Sequence, residues 1–356
     1  MSFITYKFRI KSGTRRLRRM SIAANQIWNF CAATQKEAQR RNLLDRTVRW
    51  PSGFALTYLT AGTSVHFGLH ADTIGQICRR FAASRDQHRR CPKFRSSFGS
   101  RRALGWIPFR SFALKTDGDA VVYLKQRYRL WKSREIIGEF KFGAFVEDAQ
   151  GHWFVTLGCE VADDLPVGDG VIGVDLGLTT FATTSEGTKI NNLRPGRRYA
   201  RALATAQRAK NKKRARAIHA KIANVRRHYL HEQSTKLARE NRLIVVGDVN
   251  AAQLKKTSLA KSVSDASWST FRNMLRYKMA RRPGAVFIEA DERHSSRVCS
   301  SCGTIPASSP KGRAALGVRS WVCSDCGALH DRDVNAARNI LRTGLEHQPL
   351  VGEIAA

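Results

Sequence analysis

Cys299 and Cys302, then Cys323 and Cys326, form two C-x-x-C pairs separated by twenty residues. Thiolates at that spacing grip a zinc ion tetrahedrally, one pair from each side, and four of them leave the metal no open position, so the expected role is structural. A disulfide or a redox pair is the alternative; a reducing cytosol disfavours the first, and the second would not occur twice. The remaining cysteines, Cys31, Cys78, Cys91 and Cys159, stand singly and read as buried thiols.

A second chemistry is carried by acids. Asp175 interrupts the apolar run VIGVDLGLTTFA (171–182), where a charge is costly unless it binds something. Asp333 opens the helical pattern in HDRDVNAARNIL (330–341), where capping alone would stabilise by about 1 kcal/mol. Asp331, two residues earlier, suits either purpose. Residues 243–246, LIVV, read as a central strand covered on both faces, and it ends at Gly247, where an α/β sheet usually builds its site.

The elements that must position these residues fall into three stretches. Residues 2–10 alternate as a strand, and four segments between 104 and 165, among them AVVYLKQRYRLWK, read as short aromatic strands, together forming a small β-barrel over 1–10 and 104–165. Residues 11–103 read as helical and basic, with Ala23, Ala24, Ile27, Phe30 and Cys31 on one face. ADDLPVGDG (162–170) is the linker. Beyond it, over 166–356, three strands precede alternating helices and strands, including a basic helical hairpin at 196–240 and the cysteine ribbon at 295–330. That order is expected of a ribonuclease-H-like α/β domain, whose chemistry gathers distant carboxylates around two Mg²⁺ ions. The whole is thus an α+β multidomain chain.

The segments GVDLGLTTFA (173–182), DASWSTFRNMLRYK (265–278), SSRVCSSCG (295–303) and CSDCGALHDRDVNAARNIL (323–341) resemble TnpB, the transposon-encoded RNA-guided RuvC nuclease. The resemblance is specific in the C-terminal motifs and looser before the linker. It implies a WED-like barrel, a REC-like helical region and a RuvC-like nuclease domain with an inserted zinc ribbon. It implies Asp175 and Asp333 as the first and third catalytic carboxylates, the four cysteines as zinc ligands, and a guide RNA and double-stranded target DNA as partners. Family members carry glutamate where this chain has Gly247. Three acids are near enough to replace it. Asp248 should point to the opposite face from residue 247, and Glu289 lies inside the next strand. Glu292, at the end of AVFIEADE, reaches the matching edge if that strand runs parallel about 4.8 Å away. Such a relocation resembles the TnpB subset related to Fanzor.

The charge agrees with a polyanionic partner: 62 Lys plus Arg against 28 Asp plus Glu give +34, spread along the chain. Candidate nucleic-acid contacts are Lys125, Arg127, Tyr128, Trp131 and Lys132 in the aromatic run, and Arg226 and Arg227 in the hairpin. Arg332 and Asn335 are candidate supports for the acids. The leading expectation is an RNA-guided DNA endonuclease holding two Mg²⁺ through Asp175, Glu292 and Asp333, cytoplasmic and nucleoid-associated on DNA, a monomer on its RNA. A nuclease-dead RNA-guided repressor and an RNase-H-type DNA transposase are the competing readings.

Overall fold

The computed structural model describes residues 2–249, 256–257, 259–311 and 314–346. Two compact units divide at the expected linker, Met1–Ala162 and Asp163–Ala356. Of the segment that follows the strand ending at Gly247, residues 250–254 lie outside the described residues.

In the first unit the N-terminal strand β1 (Ser2–Ile10) joins an antiparallel sheet with β2 (Trp106–Arg110), β3 (Leu114–Asp117), β4 (Ala120–Tyr123), β5 (Gln126–Trp131), β6 (Glu139–Glu147) and β7 (Trp153–Val161). Their order is β2-β6-β7-β1-β5-β4-β3. Laid flat, five strand spacings of about 4.8 Å would separate β2 from β4. Yet the rings of Phe109 on β2 and Tyr123 on β4 lie 5.7 Å apart, and Phe145 touches both. The sheet is therefore rolled almost into a barrel around these rings. It stays open, because no ladder joins edge strands β2 and β3.

Helices α1 (Thr14–Leu44), α2 (Gly53–Leu59), α3 (Ser64–Phe67) and α4 (Ala71–His88) fill the stretch between β1 and β2. Ala23, Ala24, Ile27 and Cys31 are buried as expected, whereas Phe30 turns outward and is exposed. The run AVVYLKQRYRLWK is a hairpin, not one strand. Leu124 and Lys125 adopt left-handed φ values of 49° and 61°, and two consecutive positive φ angles make the tight turn whose twist matches paired strands.

The second unit is built on a mixed sheet, β10-β9-β8-β11-β12. Strands β8 (Gly170–Leu176), β9 (Thr180–Thr184) and β10 (Lys189–Asn191) are antiparallel neighbours, while β11 (Asn241–Gly247) runs parallel to β8 and to β12 (Val286–Ala290). Helices α5 (Pro195–Arg198), α6 (Ala200–Arg208) and α7 (Lys212–Glu240) form the basic hairpin; α8 (Ala260–Ala266) and α9 (Trp268–Met279) follow β11. A two-stranded ribbon, β13 (Ser320–Val322) with β14 (Leu329–Asp331), leads into α10 (Arg332–Glu346).

Strand period decides which residues share a face. Ile172, Val174, Ile244 and Val246 pack with Phe271 and Leu275 of α9 on one side. Leu243, Val245 and Ala290 pack with Ile340 of α10 on the other. Gly173, Asp175 and Gly247 belong by parity to the α10 face. A Cβ on Gly173 would fall 2.2 Å from the carbonyl oxygen of Ala337, so the absent side chain is what lets α10 lie directly on β8.

Candidate active site and zinc ribbon

Register brings the acids together. Val174 stands opposite Val246, so Asp175 and Gly247 are the next residues on neighbouring strands. Gly247 is paired with Ala290, and Glu292 follows two residues later, on the same face and just past the strand end. A Cβ built on Gly247 would lie 3.0 Å from Glu292 Oε2 and 3.3 Å from Glu292 Cβ. The Glu292 side chain occupies the room that glycine leaves.

The other two acids are disposed differently. Glu289 has opposite parity, faces α9 and is engaged by Arg272 at 3.3 Å and by Arg276. Asp248 lies beyond the last residue of β11, so strand alternation no longer governs it. Its carboxylate accepts from the backbone N–H of Glu292 at 3.4 Å, bracing the turn that aims Glu292.

The third carboxylate arrives on α10. Capping falls to Asp331, whose Oδ1 accepts from the N–H groups of Asp333 and Val334 at 3.0 and 3.1 Å. Burial works against ionisation of Asp331, but the ammonium of Lys189 at 2.7 Å and these backbone donors hold its carboxyl below the usual range. Asp333 is thereby left free of the cap, with Arg319 of the ribbon 3.6 Å from its Oδ1.

Electrostatics join the three sites. Burial, then the charges of Glu292 and Asp333, push the Asp175 carboxyl up to about 7. Burial, then Asp248, push Glu292 up to about 7. The cluster carries more negative charge than its surroundings neutralise, which is the condition a divalent cation relieves.

The ribbon answers the cysteine spacing. Among the described residues the four thiols form the one group of potential ligands whose atoms all lie within 4.8 Å of one another. Cys299 and Cys326 Sγ are 3.7 Å apart, Cys302 and Cys323 3.8 Å. A tetrahedron with Zn–S bonds of about 2.3 Å has edges of about 3.8 Å, so the cluster fits zinc. Both halves repeat one knuckle: Gly303 N–H donates to Cys299 O at 2.8 Å, and Gly327 N–H to Cys323 O at 2.9 Å. His330, which spacing did not single out, places Nε2 3.0 Å from Cys299 Sγ. Its place three residues before Asp333 is the only sequence signal.

The supports turn out to have distinct jobs. Asn335 donates to the carbonyls of Ser295 and Val298 and accepts from Ser300 N–H, and Asn339 donates to the same two carbonyls. They clamp the ribbon to α10. Arg332 donates to Ala315 O at 2.7 Å, and its charge favours ionised Asp175.

The expected nucleic-acid contacts divide. Tyr128 is fully buried, 5.2 Å from the ring of Phe145, because β5 turns that residue into the rolled core; it presents no surface to a partner. Arg127 is held by Asp117 and Asp119, and Arg226 by Asp265 at 2.6 Å. Lys125, Trp131, Lys132 and Arg227 are exposed. No described helix is long and apolar enough to cross a membrane.

Comparison with known proteins agrees with this construction. A model described as "Probable transposase" matches residues 157–258, and one described as "Cas12f1-like, TNB domain" matches residues 268–340. A provisionally named RNA-guided DNA endonuclease of Streptomyces pristinaespiralis is 42% identical over 212 residues, 56% of this chain and 51% of that protein. Another, from Escherichia coli (strain K12), is 28% identical over 61% of this chain and 60% of its own length. "TnpB-like protein L79" of Acanthamoeba polyphaga mimivirus is 28% identical over 37% of this chain and 25% of its own. The chain thus spans about half the length of the curated relatives it matches. A solved Cas12f1 chain, from a complex with guide RNA and target DNA, aligns over 96% of this chain at 13% identity and a TM-score of 0.39. Both family models fall across the sheet, the acids and the ribbon, and over those residues the chain is similar to the TnpB family.

Proposed function

We propose that this protein is an RNA-guided DNA endonuclease whose cutting site is formed by Asp175, Glu292 and Asp333 around two Mg²⁺ ions. The observation that carries the reading is the meeting, on one face of the mixed sheet, of three carboxylates brought from residues 175, 292 and 333, with Glu292 filling the space over Gly247. When bound, the ions activate the attacking water and neutralise charge on the leaving oxygen of the phosphodiester. Asp175 and Glu292, ionised above about pH 7, supply anionic oxygens from adjacent strands. Asp333 supplies a third from α10, and Asp248 keeps the Glu292 turn in place. The net charge of +34 supports a guide RNA and double-stranded DNA as partners, held through their backbones while base pairing reads sequence. Placing Glu292 in this role puts the chain with the Fanzor-related subset of the family.

The test is cleavage of a plasmid matched to the RNA that co-purifies with the protein, in Mg²⁺, with wild type beside Asp175→Ala and Glu292→Ala. Cutting by wild type alone supports the reading. Robust cutting that survives Glu292→Ala removes that residue from the site, and binding without any cutting by wild type favours a nuclease-dead repressor.

A further inference from the structure

We propose that a cavity of about 640 Å³ in the first unit receives one nucleotide of the bound nucleic acid, its phosphate held by Arg95 and Arg80 and its base against Trp106 and Phe142. This rests on the nucleic-acid reading above but not on the carboxylate site.

Arg95 is held from every side. Its guanidinium carbon lies 3.6 Å from the ring centre of Trp28 and 5.3 Å from that of Trp106. Its backbone is pinned by Asn29, which accepts from Arg95 N–H at 2.7 Å and donates to Arg95 O at 3.0 Å. Trp28 Nε1 in turn donates to Lys93 O at 3.0 Å, tying the same loop to α1. The two indole rings hold the guanidinium by cation–π contact, which leaves its N–H groups to hydrogen-bond a ligand.

Those N–H groups have no recorded acceptor. Some arginines of this unit meet acids: Arg102 meets Glu147 at 2.7 Å, and Arg127 meets Asp117 at 2.7 Å. Among the described residues no carboxylate or carbonyl is recorded against the side chains of Arg95 or Arg80, and none of the residues lining the cavity is acidic. Burial, then the charge of Arg80, push the Arg95 guanidinium down to about 10, so the pair sits together without a counter-ion. A phosphate supplies both the missing negative charge and oxygens that match a guanidinium fork. The wall also carries aromatic rings among smaller residues, with Phe142 48% exposed, and a ring so placed accepts a stacked base of any identity. The volume falls in the range of sites that enclose a small molecule.

The experiment uses the full zinc-loaded chain, freed of co-purifying RNA, in buffer without Mg²⁺ so that nothing is cut. Fluorescence anisotropy would follow binding of labelled single-stranded RNA, single-stranded DNA and duplex DNA across a salt series. Arg95→Gln is expected to weaken at least one of these by about tenfold or more and to reduce the salt slope by about one. Arg80→Gln is expected to act in the same direction, and because Arg80 is exposed its loss does not perturb folding. The arm most affected identifies RNA or DNA as the source of the nucleotide. Photocrosslinking of 4-thiouridine or 5-bromouracil oligonucleotides should mark the peptide carrying Trp106 or Phe142. Unchanged affinity and slope in both variants, with wild type still binding, would overturn the pocket and leave the general reading standing. Failure of wild type to bind any of the three would overturn both.

Discussion

Glu292 Oε2 stands 3.0 Å from the point where a side chain on Gly247 would begin, so the glutamate and the glycine share one volume across two neighbouring strands. Residue 247 is paired with residue 290, and the last two residues before Glu292 carry it past the edge and back over the gap. Glu292→Ala is therefore expected to lower the plasmid cleavage rate by more than about 100-fold, beyond the loss that follows removal of a mere outer partner of a metal ligand. Guide-RNA binding, followed by co-purification, should be unchanged.

The shared volume predicts a suppressor. Gly247→Glu alone should impair cleavage, since its Cβ would crowd Glu292 and Ile340 Cδ1 at 3.0 and 3.1 Å. Combined with Glu292→Ala, which empties that space, it should cut faster than Glu292→Ala by itself. A double variant no better than the single would mean that the strand position cannot present a carboxylate to the site.

Protonation gives the site a pH signature. Asp175 and Glu292 rise from ordinary values of 3.8 and 4.5 to about 7. Between those limits the folded protein binds more protons than the unfolded chain, so stability without metal falls as pH rises. Metal binding needs the ionised forms, so Mg²⁺ affinity should climb over the same interval. Thermal melts of the zinc-loaded protein in Mg²⁺-free buffer should show Tm decreasing from pH 5 to pH 8 by these groups, with Mg²⁺ restoring it most at the upper end. Asp175→Asn should flatten the slope.

Asp331 and Asp333 can be separated by substitution. Asp331→Ala removes the cap of α10 and should cost about 1 kcal/mol in denaturant unfolding while leaving most of the cleavage rate. Asp333→Ala should do the reverse, abolishing cleavage with little change in stability.

The ribbon should hold one zinc per chain by elemental analysis, and Cys323→Ser should release it. Because Asn335 and Asn339 clamp residues 295–300 to the helix that carries Asp333, zinc loss should also lower cleavage. Asn335→Ala, which strands the Ser300 N–H and leaves the Ser295 and Val298 carbonyls to Asn339 alone, should cost about 1–3 kcal/mol by urea unfolding without releasing zinc.

Much of this was legible along the chain because it depends on local spacing. Two residues between paired cysteines set the knuckle, alternation in residues 2–10 made β1, and the apolar run around Asp175 declared a buried strand with a charge in it. The net charge of +34 set the expectation of a polyanionic partner. Other points were out of reach of spacing. Tyr128 sits in a run that looks like a basic aromatic surface, but positive φ at Leu124 and Lys125 folds the run back on itself and turns the ring inward. Asp331 and Asp333 suit a helix start equally well in sequence, and only their contacts divide cap from free carboxylate.

The sequence by itself determined which residues carry metal-binding and acidic chemistry and which face of each strand they occupy, since ligand type and strand period are properties of neighbouring residues. The sequence already favoured Glu292 as the acid opposite Gly247; only the tertiary structure decided whether its side chain could lie over the glycine. That outcome depends on the register between β11 and β12, more than thirty residues apart in the chain, and on how closely α10 lies over Gly173. Both are set by packing between segments that the chain itself keeps far apart.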